Sequence, residues 1–304
     1  MNVAHHIGLE IAGNCFRLVE LQKQDHHTVV LRADVYETEA DFASTRIFDL
    51  PFDRELAKMF ISDLVRALTA SNVYAPAVSL VLPSDLPLVA TLPLDVSVPE
   101  AERTAQLEWE CRTLMGFADD TAMSVLSHPI RREGAHPSAL VVALPQSLVH
   151  FLNSVFSHLT FDIAAIDIDH FVMENLVRLR YPKYTSDGLA VLGMFASYCS
   201  AGVYHGSVYN GFRIGPVSYR QQYAAQALHL IESIAVGPLD NVYCFGPGYS
   251  AHVGDAMGGL LHTQVSRCVP VTDPGAEEIF RANSRSDDAS VFDVAAAAAV
   301  LGLA

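Results

Sequence analysis

Between Leu189 and Phe212 the chain has no Lys, Arg, Asp or Glu. A stretch of that length could cross a bilayer. But His205-Gly206 and Asn210-Gly211 are turn signals, and Ser197, Ser200 and Ser207 interrupt the apolar run. It therefore reads as buried strands joined by tight turns. The alanine-rich run Val294 to Ala304 is too short to span. Basic residues are scarce too: 19 Lys and Arg stand against 34 Asp and Glu, a formal charge of −15. That argues against a nucleic-acid partner, whose phosphates demand a basic face, and against adhesion to anionic lipid through polybasic patches. The five cysteines form no C-x-x-C pair and their number is odd, which disfavours a disulfide framework or zinc site and implies reduced cytosolic thiols. Met1 to His6 lacks the charged-then-apolar pattern of a signal peptide. The 13 histidines include no H-x-x-x-H. The adjacent pairs His5-His6 and His26-His27 point to opposite faces of a strand, so no metal site is expected.

What is present is apolar. Of 304 residues, 51% are hydrophobic and 17% charged, enough for two or more subdomains with cores, part of the apolar surface being buried or covered by a partner. Ile7 to Ile11, Cys15 to Leu21 and Thr28 to Tyr36 read as a three-stranded meander with a tight turn at Gly13-Asn14. Asp53 to Ala70 is helical, with Leu56, Phe60, Leu64 and Leu68 on one stripe, and Ala77 to Leu82 is a strand. Leu86 to Leu94 is an edge or broken strand, because of Pro87 and Pro93. Ser97-Val98-Pro99-Glu100 reads as a capping box for a helix to Met115, with Thr104, Leu107, Cys111 and Leu114 facing inward. Met123 to Arg131 and Ser138 to Leu144 pair as strands. Gln146 to Leu159 is helical and Phe161 to Ile168 a strand. Asp169 caps the next helix. Leu189 to Phe195, Ala201 to Tyr204 and Ser207 to Ile214 repeat the opening meander. Tyr219 to Ala235 is helical, Asn241 to Phe245 a strand, Gly246-Pro247-Gly248 opens a helix, Val269 to Thr272 is the last strand, and Ser290 to the end a small-residue helix. Trp109 is read as a subdomain contact, the alternative being a contact with a partner.

Two meander-and-helix copies, with a late Gly-x-Gly before a helix, resemble the actin-like ATPases. Ile7-Gly8-Leu9-Glu10-Ile11 followed by Arg17-Leu18-Val19-Glu20-Leu21 is similar to the opening of PilM proteins, I-G-L-D-I-G then K-L-V-E-L. Leu107-Glu108-Trp109-Glu110 before Phe117, Val269-Pro270-Val271 with Asp273-Pro274, and the closing Leu301-Gly302-Leu303-Ala304 resemble further PilM segments in order. The resemblance spans nearly the whole chain and implies an α/β fold: duplicated actin-like (ribonuclease H-like) domains with a small inserted strand–helix–strand–strand subdomain. The expected domains are 1–82 plus 161–188, the inserted 83–160, and 189–304. The cell-division protein FtsA shares this layout but ends in an amphipathic membrane helix, for which nothing after Leu303 provides.

Actin-like folds hold phosphate between two hairpin turns and a metal between carboxylates. By resemblance the nucleotide-site candidates are Glu10, Gly13 and Asn14 in the first turn, Gly193 and Ser197 in the second, and Gly246 and Gly248 in the third. Glu10 stands where the family has Asp, a change of ~1.5 Å in reach. A relaxed phosphate loop and a plain hairpin both account for that turn. The second turn, Leu192 to Tyr198, replaces D-I-G-x-x-x-T and has no acid; Met194 and Phe195 are bulky where small residues admit phosphate. Pro247 removes one N–H. Asp167 and Asp169 share one face of a strand end, which capping explains more simply than paired catalysis.

The resulting expectation is a pseudo-ATPase scaffold of a type IV pilus or type II secretion-like inner-membrane platform, not an enzyme, in the cytoplasm and peripheral to the inner membrane through its partner. That partner, by resemblance, is the cytoplasmic tail of a bitopic, PilN-like protein, held in a groove for which Leu88, Ala90, Leu92, Ile163, Ala165 and Asp167 are candidates. No cofactor is required; binding of ATP or ADP with Mg²⁺ without turnover stays open. The alternative is an active actin-like ATPase or small-molecule kinase, which requires a metal-binding carboxylate in both hairpins.

Overall fold

The computed structural model describes all residues except 1–3, 25–26, 43–44, 86–87, 96, 131–136, 182–187, 207, 236, 274 and 285–287, and all side chains within these elements except those of residues 45–46, 88, 101 and 220. In the first sheet, β1 (His5–Ile11), β2 (Cys15–Gln24) and β3 (His27–Glu37) form an antiparallel meander, and β4 (Ala77–Leu82) and β8 (Asp162–Ile168) add in parallel, in the order β3-β2-β1-β4-β8. The second sheet repeats this plan with β9 (Gly188–Met194), β10 (Tyr198–His205), β11 (Val208–Pro216), β12 (Asn241–Phe245) and β13 (Gln264–Arg267), in the order β11-β10-β9-β12-β13. Parallel strands need crossovers. Helix α1 (Arg54–Ser71) supplies one before β4, α5 (Tyr223–Glu232) one before β12, and α6 (Ala251–Leu261) one before β13.

Side-chain alternation decides what covers each face. Ile7, Leu9 and Ile11 face Phe60 and Leu64 of α1 and Leu152 and Phe156 of α3 (Gln146–His158) in one core. The opposite face of β1 presents His6, Gly8 and Glu10. There α8 (Asp293–Leu303) crosses so closely that a Cβ on Gly8 would lie 1.8 Å from the Ala295 carbonyl oxygen. The alanine run of α8 permits this approach. Its last turn meets His6, whose ring would stand 2.1 Å from a Cβ on Gly302. Residues 189–304 were expected to form the second domain, yet α8 leaves that domain to cover the first sheet.

Helix α4 (Asp169–Arg180) is the other middle element. Val172, Met173, Leu176 and Val177 share a core with Val81 of β4, Leu189 and Val191 of β9, and Val294 and Ala297 of α8. The two sheets are thus joined through α4 and α8.

Between β4 and β8 lies a three-stranded antiparallel sheet in the order β5-β7-β6, from β5 (Leu88–Pro93), β6 (Met123–Ile130) and β7 (Ser138–Pro145). Helix α2 (Glu100–Met115) packs on it through Leu107, Cys111 and Met115. Three local expectations need correction here. Leu114 is 58% exposed and Thr104 is exposed too, because the buried stripe runs 107-111-115. Trp109 is 57% exposed and makes no subdomain contact that covers it. Ser97 forms no capping box: its N–H and hydroxyl both donate to Asp95 Oδ1, at 2.9 and 2.6 Å, and the N-cap is Pro99. The last strand also moves, from 269–272 to β13. Pro270 cannot donate to a ladder, and the carbonyls of Val269 and Pro270 instead accept the Arg180 guanidinium.

Candidate functional site

The three turns named above each make hydrogen bonds to other parts of the protein. In the β1–β2 turn, Ala12 and Cys15 close a two-residue loop, with Gly13 at φ 67°, a left-handed conformation suited to glycine. The Gly13 and Asn14 carbonyls accept the N–H groups of Phe42 and Thr38 at 3.0 and 2.8 Å. Glu10, 3% exposed, accepts from Arg17 Nη1 at 2.9 Å. Burial pushes the Glu10 carboxyl up and the guanidinium opposes that.

The β9–β10 turn has Ala196 and Ser197 exposed at its tip and Phe195 and Tyr198 buried beside it, their rings 4.6 Å apart. Gly193 is packed against Ser200, Phe195 and Phe245: a Cβ there would sit 2.4 Å from Ser200 Oγ. The Tyr198 hydroxyl donates to Asp169 and accepts the Ser84 N–H at 3.2 Å; Ser84 also donates its hydroxyl to Asp169. Asp169 is therefore no helix cap. Ile168 is the N-cap, and the Asp169 carboxylate turns into the interdomain contact, where burial raises it to about 7 against the donors' opposing effect.

At the third turn the Gly246 N–H donates to Asp293 Oδ2 at 3.2 Å and the Gly248 N–H to the Met194 carbonyl at 2.9 Å. Pro247 has no N–H. A Cβ on Gly248 would be 2.6 Å from the Tyr223 ring, whose hydroxyl donates to the Phe195 carbonyl at 2.7 Å. The helix that follows starts three residues later, at Ala251, capped by Ser250.

Two features of this cleft work against ATP with Mg²⁺. Phosphate needs unbonded N–H donors in the turns, and at the third turn the N–H groups of Gly246 and Gly248 are bonded within the protein, whereas in the first turn it is the Gly13 and Asn14 carbonyls that are engaged. The metal needs carboxylates. Glu10 Oε1 is paired with Arg17, while its buried Oε2 has no hydrogen-bond partner among the described residues; Asp293 is paired with Arg267 at 2.7 Å, and Asp169 accepts from Ser84 and Tyr198.

A second polar cluster deserves a chemical test. Ser200 Oγ lies 2.8 Å from His170 Nδ1, and His170 Nε2 lies 3.2 Å from Glu174 Oε2. The order is that of a nucleophile, base and acid. Ser200 and His170 are fully buried, and Gly193 packs on the serine, so no substrate carbonyl can reach it.

The open site lies elsewhere. A cavity of about 530 Å³ opens between β6 and β7 of the inserted subdomain, β8 and α4 of the first domain, and the β10–β11 hairpin of the second. Leu126, Val142, Ile166 and Phe171 supply apolar surface; Asp167, Glu174, Tyr204 and Tyr209 supply polar atoms. β8 ends the first sheet and β6 ends the inserted one. Of the groove candidates, Asp167 lines this cavity. Ile163 packs on the first core and Ala165 is exposed further along β8. A bulge in the β4–β8 register at Val78/Ser79 sets which β8 residues face inward. Ala90 and Leu92 are a correction: they belong to the inserted subdomain's own core with Leu107 and Cys111, since alternation along β5 turns them to α2 and turns Val89 to the core shared with α4. The Leu88 side chain lies outside the described residues. Sequence reading missed Glu174, Tyr204 and Tyr209. The available signals were the i, i+4 spacing of His170 and Glu174 and two tyrosines flanking the Gly206 turn.

Two like sheets bridged by two helices, with a subdomain inserted before β8, define the actin-like ATPase fold. Among solved structures the chain is similar to the PilM–PilN type IV pilus biogenesis complex, with TM-score 0.68 at 15% identity over 99% of this chain and 98% of that one. It is also similar to a Bacteroides thetaiotaomicron protein of actin-like ATPase fold and unknown function, with TM-score 0.52 at 10% identity over 87% and 90% of the chains. No family model and no curated protein matches the sequence. Among the described residues no helix is long and apolar enough to cross a membrane.

Proposed function

We propose that this chain is a PilM-like assembly scaffold, a pseudo-ATPase of a type IV pilus or type II secretion-like platform. It holds the cytoplasmic tail of a bitopic, PilN-like inner-membrane protein and is peripheral to the membrane through that partner. The observation that carries the reading is the contrast between two clefts: the one where actin-like proteins hold nucleotide has its turns and carboxylates bonded within the protein, whereas the groove beside β8 is open and largely apolar. An extended segment can enter such a groove by pairing with a sheet edge and seating alternate side chains in pockets. The full-length likeness to the PilM–PilN complex supports the same assignment. The test is titration of the full chain with fluorescein-labelled peptides from the cytoplasmic tails of bitopic proteins encoded beside it. Saturable binding that a bulky substitution of a lining residue, Val142→Trp, abolishes is expected. Unchanged binding by that variant, or phosphate release from ATP above background that Glu10→Ala removes, would overturn the reading.

A further inference from the structure

We infer that the groove is a selective site for one cationic side chain, an arginine or lysine carried on an apolar extended segment of the partner. This rests on the scaffold reading and specifies what that partner must present. Asp167 of β8 lines the cavity, and among the described residues it has no ion-pair partner; its carboxylate accepts only the neighbouring Ile168 N–H, at 2.8 Å. Burial raises it to about 6, as expected of a carboxylate removed from water without a compensating cation.

Glu174, 4% exposed, lines the same cavity, and its Oε2 has no hydrogen-bond partner. His170 Nε2 stands 3.2 Å from it, and the Tyr209 hydroxyl, on the cavity wall, faces the same carboxylate; none of the three atoms makes a well-aligned hydrogen bond. The three atoms pack together against Gly202: a Cβ there would be 2.7 Å from His170 Nε2, 2.8 Å from Glu174 Oε2 and 3.3 Å from the Tyr209 hydroxyl. Native proteins rarely leave several buried polar atoms unpaired at one place.

The chemistry of the missing partner follows. Two carboxylates repel an anion. An apolar side chain would leave these oxygens without a donor, which is unfavourable for a buried acceptor. A guanidinium or ammonium offers donors and no acceptor, matching acceptor-rich Asp167 and Glu174, while its methylene stem suits the apolar walls. Arg178 also lines the cavity; it is exposed, its guanidinium lies over the Tyr204 ring at 5.3 Å, and among the described residues it pairs with neither carboxylate.

The experiment selects a phage-displayed library of random 12-residue peptides on the full chain, in parallel with Asp167→Asn and with Asp120→Asn, an exposed acid elsewhere. Peptides enriched on the parent and on Asp120→Asn should share one Arg or Lys flanked by apolar residues, and Asp167→Asn should lose that preference. Citrulline in place of the selected arginine should weaken binding to the parent at least about tenfold, since charge-assisted bonds contribute well over a neutral one, and change binding to Asp167→Asn little. Enrichment of apolar peptides with no basic position, or equal loss with Asp120→Asn, overturns this inference and leaves the scaffold reading standing. Enrichment of nothing overturns the scaffold reading and this inference with it.

Discussion

Tyr198, the first residue of β10, donates its hydroxyl to Asp169, the first residue of α4, and so fastens the second domain's opening hairpin to the first domain. Tyr198→Phe removes that bond and leaves the buried Ser84 N–H with one acceptor fewer. The expected cost is about 1–3 kcal/mol, read from the urea midpoint at constant m-value.

Because that clasp and the neighbouring hydrogen bonds engage the cleft's turns and carboxylates, millimolar ATP with Mg²⁺ should leave the melting temperature of the full chain unchanged. Ligand present at 100 times its dissociation constant stabilises by about 2.7 kcal/mol, so a shift of several degrees would show that nucleotide is bound.

Asp169 also sets a pH dependence. Its folded pKa, about 7, lies above the ordinary 3.8, so the folded state holds the proton more tightly than the unfolded one. The stability this contributes is complete below about pH 4 and is lost as pH rises through 7. Asp293, raised to about 6 by burial despite Arg267, acts in the same direction. One such proton gives a slope of at most about 1.4 kcal/mol per pH unit. Unfolding free energies measured from pH 5 to 8 should fall less steeply for Asp169→Asn than for the parent.

Glu10→Ala leaves Arg17 buried without its carboxylate. The loss should be about 3–5 kcal/mol, and Glu10→Gln, which keeps an acceptor, should lose less. Circular dichroism during urea unfolding orders the three proteins.

Gly8→Ala drives a methyl into the backbone of α8, with Ala295 and Ala299 both inside contact distance. Neither atom is the end of a flexible side chain, so about 3 kcal/mol of overpacking is expected. Gly259, inside α6 with nothing within 4 Å of its Cβ position, is the contrast: Gly259→Ala should stabilise by about 0.5–1 kcal/mol.

Much of the architecture was legible because it is written in local periodicity. The α1 stripe Leu56-Phe60-Leu64 and the two meanders follow from spacing and from glycine turns, and the actin-like fold follows from their repetition. The hairpin at 195–198 was legible as lacking an acid. What fills it was not: that Tyr198 reaches Asp169 depends on two elements 29 residues apart meeting across domains. Asp169 looked like a cap because a local hydrogen bond is the default for an aspartate before a helix, and tertiary contact overrode it. Leu92 was misplaced for a related reason. Alternation identifies a strand's inner face but not which of two neighbouring cores that face belongs to. The acidic floor of the groove combines β8, α4 and the β10–β11 hairpin, and no spacing in the chain joins them.

The embrace of β1 by α8 has a consequence for how the chain is made. The His6-Gly8-Glu10 face of the first sheet is sealed by a helix that leaves the ribosome almost 300 residues later. Until then the growing polypeptide carries an uncovered β-sheet face through translation. Contacts of such long sequence separation fold slowly and expose sticky surface in the meantime, so the nascent protein has reason to depend on chaperones.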